Sequence, residues 1–346
     1  MDYEKSMKKC INLALKGAGS VSPNPLVGCV VYNRDGVEVS TGYHKKYGDN
    51  HAERDALLKL GQDDTIDGTL VVNLEPCSHY GKTPPCADLI IERGIKRVVI
   101  GMRDVNPVVA GNGVKKLKDA GVEVIENILS DDCRKLNEVF IKNMTMHKTF
   151  VAIKTASTLD GKVASSTGSS KWITSSNARD EVKNIRNKYD AILTSSATVI
   201  TDNPSMVHRC NIILDRELKT VGKYKIYDNN RVIVFYDETL QSPVGSAEFI
   251  KTPIKSNNLD LEFVFNNLFE MGIMSVLVEA GGHLNGSVLK FADKIYHFIA
   301  PKVLGDNSGL SCFDFRRVED INLCANFRID SVQQYDPDIL LTYYPN

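Results

Sequence analysis

No run of about eighteen apolar residues occurs anywhere in this sequence, so nothing in it reads as a membrane-spanning helix. Nor is there an excess of charge of either sign, since 42 Lys and Arg stand against 43 Asp and Glu for a net charge of -1. That balance leaves no general attraction for a nucleic-acid backbone or an anionic membrane, and it favours a small-molecule substrate. The residues after Met1 lack the basic and apolar regions of a secretory signal, so a cytoplasmic location is expected. Internal repeats and low-complexity segments are missing as well. What remains is the composition of an ordinary globular chain, 42% hydrophobic and 25% charged, and 346 residues suggest two domains, each able to bury a core.

The pattern along the chain predicts an amphipathic helix over Tyr3–Ala18 and a hairpin pairing Leu26–Tyr32 with Val37–Tyr43. Helices over 51–60, 87–93 and 114–120 then alternate with strands over 69–73, 97–100 and 122–125, which argues for a layered α/β domain. A helix over Asp131–Met146 leads to a boundary near residue 147. The second half alternates again, with strands over 150–154, 191–194, 212–214, 232–235, 275–279 and 339–343 and helices over 177–187, 261–271 and after Gly281-Gly282.

Of eight cysteines, six read as small buried hydrophobes, while Cys77 and Cys86 sit among prolines and polar residues. His51-Ala-Glu53 begins a predicted helix, Glu75-Pro-Cys77 follows, and Cys86 comes nine residues later. One neutral imidazole and two thiolates fill three tetrahedral positions on Zn²⁺ and leave the fourth to water, as a catalytic zinc requires. Glu53, a carboxylate that is not a ligand, is placed to shuttle protons to a departing amine. His-x-Glu followed by Pro-Cys and a second cysteine is the signature of zinc nucleobase deaminases, where two residues normally separate the cysteines. Here eight do, which predicts a loop over the site that reads the substrate. His44 and His79 are alternative fourth ligands, each better read as a substrate contact. The glycine pair Gly281-Gly282, between a strand and a helix, suits backbone approach to a pyrophosphate or, equally, close packing of helix on strand.

Ser22-Pro-Asn-Pro-Leu-Val-Gly28, His51-Ala-Glu53, the segment Leu74–Cys86 and the segment Lys154–Lys162 together closely resemble the RibD family of bifunctional riboflavin biosynthesis proteins, in both halves of the chain. The resemblance implies a cytidine-deaminase-like α/β/α domain over 1–147 and a dihydrofolate-reductase-like α/β domain over 148–346. The first would use one Zn²⁺ to deaminate 2,5-diamino-6-(5-phosphoribosylamino)pyrimidin-4(3H)-one, and the second NADPH to reduce the ribosyl group of the product to ribityl. The substrate is thus a pyrimidine ribosyl phosphate, and a homodimer or higher homo-oligomer through the second domain is implied.

Carried over by position, the family's zinc ligands fall on His51, Cys77 and Cys86 and its proton shuttle on Glu53. Asn24, His44, Lys82, Asp104 and Asn106 match deaminase substrate contacts, although Val105 departs from the family's Asp-Pro-Asn-Pro loop. Reductase substrate contacts fall on Ser170, Arg186, Met206, Arg209 and Glu279. The two arginines are chosen for the phosphate because a guanidinium fork grips two oxygens. Cofactor contacts fall on Ala156, Trp172, Thr198, Asp202, Gly281, Gly282, His283, Leu284, Asn285, Gly286 and Ser287. Asn203 stands where relatives have a second Asp, and the connection after Arg209 is shortened. Lys154 and Glu279 each follow an apolar strand segment, so they are expected to meet at the carboxyl end of a sheet, either as catalytic groups or as a structural ion pair.

Overall fold

The computed structural model describes residues 1–80, 84–106, 110–314 and 318–346. The chain divides into two compact units, Met1–His147 and Lys148–Asn346. Among the described residues no helix is long and apolar enough to cross a membrane.

In the first unit α1 (Tyr3–Ala14) starts behind Asp2, whose carboxylate accepts the Lys5 N–H at 3.0 Å, and buries Met7, Cys10, Leu13 and Ala14. Five strands follow: β1 (Gly28–Tyr32), β2 (Glu38–Tyr43), β3 (Thr69–Leu74), β4 (Arg97–Met102) and β5 (Glu123–Ile125), in the order β2-β1-β3-β4-β5. Strand β1 runs antiparallel to both neighbours, and β3, β4 and β5 are parallel. Strands β2, β3 and β4 therefore point the same way, and their carboxyl ends share one edge. From that edge the chain enters α2 (Ala52–Leu57), α3 (Cys86–Glu92) and α4 (Asn112–Asp119).

Two glycines set the layering. A Cβ on Gly28 would lie 2.1 Å from the Cys10 carbonyl oxygen of α1, and one on Gly42 would lie 2.3 Å from the Ala52 carbonyl oxygen of α2. Gly42 pairs with Cys29, the neighbour of Gly28, and adjacent strand residues face opposite sides. Helices α1 and α2 thus cover opposite faces, which gives the α/β/α arrangement.

The predicted helix over 131–146 is two helices, α5 (Ser130–Leu136) and α6 (Glu138–Met146). Asn137 breaks it because its side chain is needed elsewhere: Oδ1 accepts the Leu26 N–H at 2.8 Å, and Nδ2 donates to the Leu26 carbonyl at 3.0 Å. Helix α2 likewise stops at Leu57, short of the expected residue 60.

The main sheet of the second unit has nine strands among the described residues: β6 (Phe150–Thr158), β7 (Ala191–Ser195), β8 (Asn211–Leu214), β9 (Val232–Asp237), β10 (Glu248–Thr252), β11 (Ser275–Val278), β12 (Lys294–Ala300), β13 (Phe327–Tyr335) and β14 (Asp338–Pro345). Their order is β10-β9-β8-β7-β11-β6-β12-β14-β13. The first seven in that order are parallel and the last two join antiparallel. Fully buried β8 and β11 carry the continuous apolar runs that parallel strands need, and they are legible in the sequence. Strands β10, β12 and β13 were not predicted. In β13 the exposure follows no simple alternation, so its sequence carries no period of two. Helices α7 (Ser176–Arg186), α8 (Ser196–Asp202), α9 (Leu261–Glu270) and α10 (Gly282–Val288) complete the unit.

Because Gly42 carries the backbone of α2 at contact distance, Gly42→Ala is expected to push that helix off the sheet and cost about 1–3 kcal/mol of stability in the first unit. Denaturant unfolding of the variant, followed by zinc analysis of the folded fraction, checks this. An unchanged midpoint would refute it.

Candidate active sites of the two units

At the shared strand edge of the first unit, His51 stands immediately before α2, Cys77 lies in the turn after β3, and Cys86 opens α3. Both cysteine Sγ atoms lie 3.5 Å from His51 Nδ1, and the three ligand atoms are within 4.8 Å of one another. Tetrahedral zinc with Zn–S of about 2.3 Å and Zn–N of about 2.0–2.1 Å needs a nitrogen-to-sulfur separation of about 3.5 Å, so these residues fit the ion. The Cys86 N–H donates to Cys77 Sγ at 3.3 Å. Contact with the Cys86 thiol, then with His51, pulls the Cys77 thiol down to about 4, while contact with Cys77, then burial, pushes the Cys86 thiol up.

Glu53 projects from the first turn of α2 and is 3% exposed. Burial and, secondarily, the Cys77 thiolate push its carboxyl up to about 7. It lines a cavity of about 350 Å³ together with His51 and Cys77. The structure brings four predicted substrate contacts to the same cavity, Asn24, His44, Asp104 and Asn106, while Lys82 lies outside the described residues. His44 has both ring nitrogens engaged, with Asn24 Nδ2 at 3.2 Å and the Asn50 carbonyl at 3.0 Å, which disfavours it as a fourth ligand. Burial pushes its pKa down, so the ring is neutral. Among the described residues the ligand group comprises His51, Cys77 and Cys86 alone. Sequence reasoning missed Tyr47, Phe140 and Met144, which also line the cavity. The last two come from α6, whose apolar face gave only a packing signal.

In the second unit β6 and β11 pair so that Ile153 faces Val278, which sets Lys154 beside Glu279. Lys154 Nζ donates to Glu279 Oε2 at 3.3 Å. Arg186, the last residue of α7, forks onto the same carboxylate through Nε at 2.5 Å and a terminal nitrogen at 2.9 Å. Burial alone would raise the Glu279 carboxyl, but Lys154 and Arg186 outweigh it and hold the group down at about 2. Glu279 is therefore a fixed anion.

A cavity of about 410 Å³ is lined by Thr198, Gly281, Gly282, His283, Leu284 and Ser287 among the predicted cofactor contacts. The two glycines do different jobs. A Cβ on Gly282 would lie 2.0 Å from the Ser311 carbonyl oxygen, which is a packing constraint, whereas one on Gly281 would meet nothing within 4 Å and so would point into open space. That open backbone at the start of α10 fits a pyrophosphate. Asn285 turns inward, its Nδ2 donating to the Cys312 carbonyl at 3.1 Å, and Gly286 is buried. Ala156, Trp172 and Asp202 do not line this cavity. Trp172 is 65% exposed with the Arg179 guanidinium 4.5 Å above its ring, and its loop is tied by Lys302 to the carbonyls of Trp172 and Ile173. Ser170 is half-buried, and Met206 packs in a small core with Ile192, Val199 and Ile213. Arg209 bonds the carbonyls of Tyr189 and Asp190 and the Asp190 carboxylate.

A clustered His-Cys-Cys group beside a buried carboxylate, joined in one chain to a mostly parallel sheet with a fixed Lys-Glu-Arg cluster and an open glycine turn, defines a zinc deaminase linked to a reductase. Residues 1–102 match the cytidine and deoxycytidylate deaminase zinc-binding region, and residues 149–341 match the RibD C-terminal domain. The riboflavin biosynthesis protein RibD of Actinobacillus pleuropneumoniae is 37% identical, covering 99% of this chain and 94% of its own, and that of Escherichia coli is 34% identical, covering 99% of each. A diaminohydroxyphosphoribosylaminopyrimidine deaminase/5-amino-6-(5-phosphoribosylamino)uracil reductase of Thermotoga maritima superposes with a TM-score of 0.90 at 41% identity, covering 99% of both chains. The chain belongs to the RibD family. It is a bifunctional deaminase and reductase of riboflavin biosynthesis, with Zn²⁺ and NADPH as its cofactors.

Ligand loss should separate the units. Cys77→Ala and Cys86→Ala are expected to lose zinc and to lower the stability of the first unit, because a metal bound only by the folded state stabilises it. Metal analysis and thermal unfolding read both effects, and full occupancy in both variants would mean that other groups hold the ion.

Proposed function

We propose that the two units catalyse consecutive steps. Residues 1–147 replace the 2-amino group of 2,5-diamino-6-(5-phosphoribosylamino)pyrimidin-4(3H)-one by oxygen from water, releasing ammonia. Residues 148–346 then reduce the ribosyl group of 5-amino-6-(5-phosphoribosylamino)uracil to ribityl. When bound, zinc acidifies a water for attack and NADPH supplies two reducing equivalents. The observation that carries the reading is Glu53, a carboxylate outside the ligand triangle yet buried in the same cavity. A structural zinc has no use for such a group. Glu53 moves a proton from the attacking water to the departing amine, while Asn24, His44, Asp104 and Asn106, joined by Lys82 on the resemblance, orient the pyrimidine.

In the second unit the sugar carbon accepts reduction more readily as the attached nitrogen of the ring-opened imine gains positive character. Glu279, held anionic, favours that charged form, and Lys154 is the proton source beside it. The ion pair between them is compatible with a catalytic role because the carboxylate is shared with Arg186. With both arginine forks engaged inside the chain, the assignment of Arg186 and Arg209 to the phosphate rests on the resemblance, as do Ser170, Met206, Ala156, Trp172 and Asp202. The cavity at Gly281 supports a pyrophosphate position there. A cytoplasmic location and a homodimer through residues 148–346 complete the reading.

Glu53→Gln is expected to keep its zinc and lose deamination by several orders of magnitude, while oxidation of NADPH with supplied deaminated intermediate continues. Near-normal ammonia release from the zinc-loaded variant would sink the assignment. Lys154→Ala and Glu279→Gln should show the reverse pattern, impairing reduction with zinc content and ammonia release intact. If both reduce the intermediate at the parental rate, the proposed chemistry of the second site is wrong.

A further inference from the structure

Glu75 follows β3 directly and lies two residues before Cys77. It is 3% exposed, and among the described residues its carboxylate makes no ion pair. It accepts three backbone N–H groups instead. Oε2 takes those of Asp104 at 3.1 Å and Gly111 at 3.0 Å, and Oε1 takes that of Val114 at 3.0 Å. A buried carboxylate must be satisfied in this way or it destabilises the fold.

The identity of the donors is informative. Val114 lies in the first turn of α4, whose N-cap, Gly111, has no side chain to offer, so Glu75 caps that helix from another element. Capping α4 requires only Gly111 and Val114. The bond to Asp104 adds something else, because the oxygen that holds Gly111 also holds the start of the segment that leaves β4. Asp104 and Asn106 line the cavity with Glu53, Cys77 and Glu75 itself, whose two carboxylate oxygens are taken up by backbone N–H groups, and Asp104 Oδ1 accepts the Asn106 N–H at 2.9 Å. Fixing the Asp104 backbone thereby fixes Asn106. On the other side of Glu75, the Glu75 N–H donates to the Met102 carbonyl at 2.9 Å, locking β3 to the end of β4.

We infer that Glu75 is a positioning residue for deamination: its carboxylate sets Asp104 and Asn106 at a fixed depth relative to the metal ligand Cys77, so substrate recognition and the metal site share one anchor. This rests on the reading that Asp104 and Asn106 touch the pyrimidine. A purely structural cap would affect folding and zinc content but would have no separate effect on substrate affinity.

The test uses the full, zinc-loaded chain as Glu75→Gln, Asn106→Ala and the double variant. Ammonia release is measured against concentration of the diaminopyrimidine phosphate, alongside zinc content and reduction of supplied intermediate. Glu75→Gln should keep zinc and parental reduction while its deaminase KM rises about tenfold or more with a smaller change in kcat. The double variant should be no worse in KM than the worse single variant, because both remove the same placement. If Asn106→Ala raises KM but Glu75→Gln stays within about twofold of the parent, the inference fails and the substrate reading stands. Additive effects in the double variant, or loss of zinc from Glu75→Gln, would also overturn it. Should Asn106→Ala leave KM unmoved, the substrate reading falls and takes this inference with it.

Discussion

Two sulfur atoms and one imidazole nitrogen must be held close enough for a single metal ion to reach all three, and that demand organises the first unit. Sulfur bound to hydrogen does not cluster of its own accord, and a thiolate buried without a counter-charge is costly. The chain meets the demand with topology. Because β2, β3 and β4 share one direction, the three connections that leave their carboxyl ends meet at one edge, and each connection contributes a part of the site. His51 comes from the first, the cysteines from the second, and Asp104 and Asn106 from the third. The glycines at 28 and 42 let helices close on both faces of the sheet, so the edge is left as the open surface of that layer.

The second unit solves a related problem by different means. There the buried charge is a carboxylate, and its counter-charges come from a neighbouring strand and from the end of a helix rather than from a metal. Register carries the arrangement, since a slip of one residue between β6 and β11 would turn Lys154 to the opposite face from Glu279. The first site lies where parallel strands end; in the second, Glu279 follows the end of β11, but Lys154 lies within β6, which runs on to Thr158, and not beyond a strand end as expected from its apolar lead-in.

Motifs made of neighbouring residues were legible. His51-Ala-Glu53 and Cys77 with Cys86 declare themselves because their chemistry depends on residue type and local context, whereas the glycine pair at 281–282 read equally as a cofactor turn or as packing; the hairpin and most central strands declare themselves through apolar runs. The resemblance extended this to Asn24, His44, Asp104 and Asn106, which share the metal's cavity. Illegible elements had weak local patterns. Strand β13 is half-exposed without alternation, and α5 and α6 read as one helix because nothing local says that the Asn137 side chain is wanted by Leu26, 111 residues away.

The sequence by itself determined the set of donor residues that cluster, the approximate division of the chain and the class of chemistry, because each rests on residue type and short-range spacing. Tertiary structure alone decided which groups answer to which. Gly282 serves packing while Gly281 faces open space, Arg186 spends its fork on Glu279, and Glu75 joins the metal segment to the loop of Asp104. These pairings join residues tens of positions apart through single hydrogen bonds or single ångströms of clearance. Spacing along the chain does not encode such distances. They are set when strands register and helices close on them.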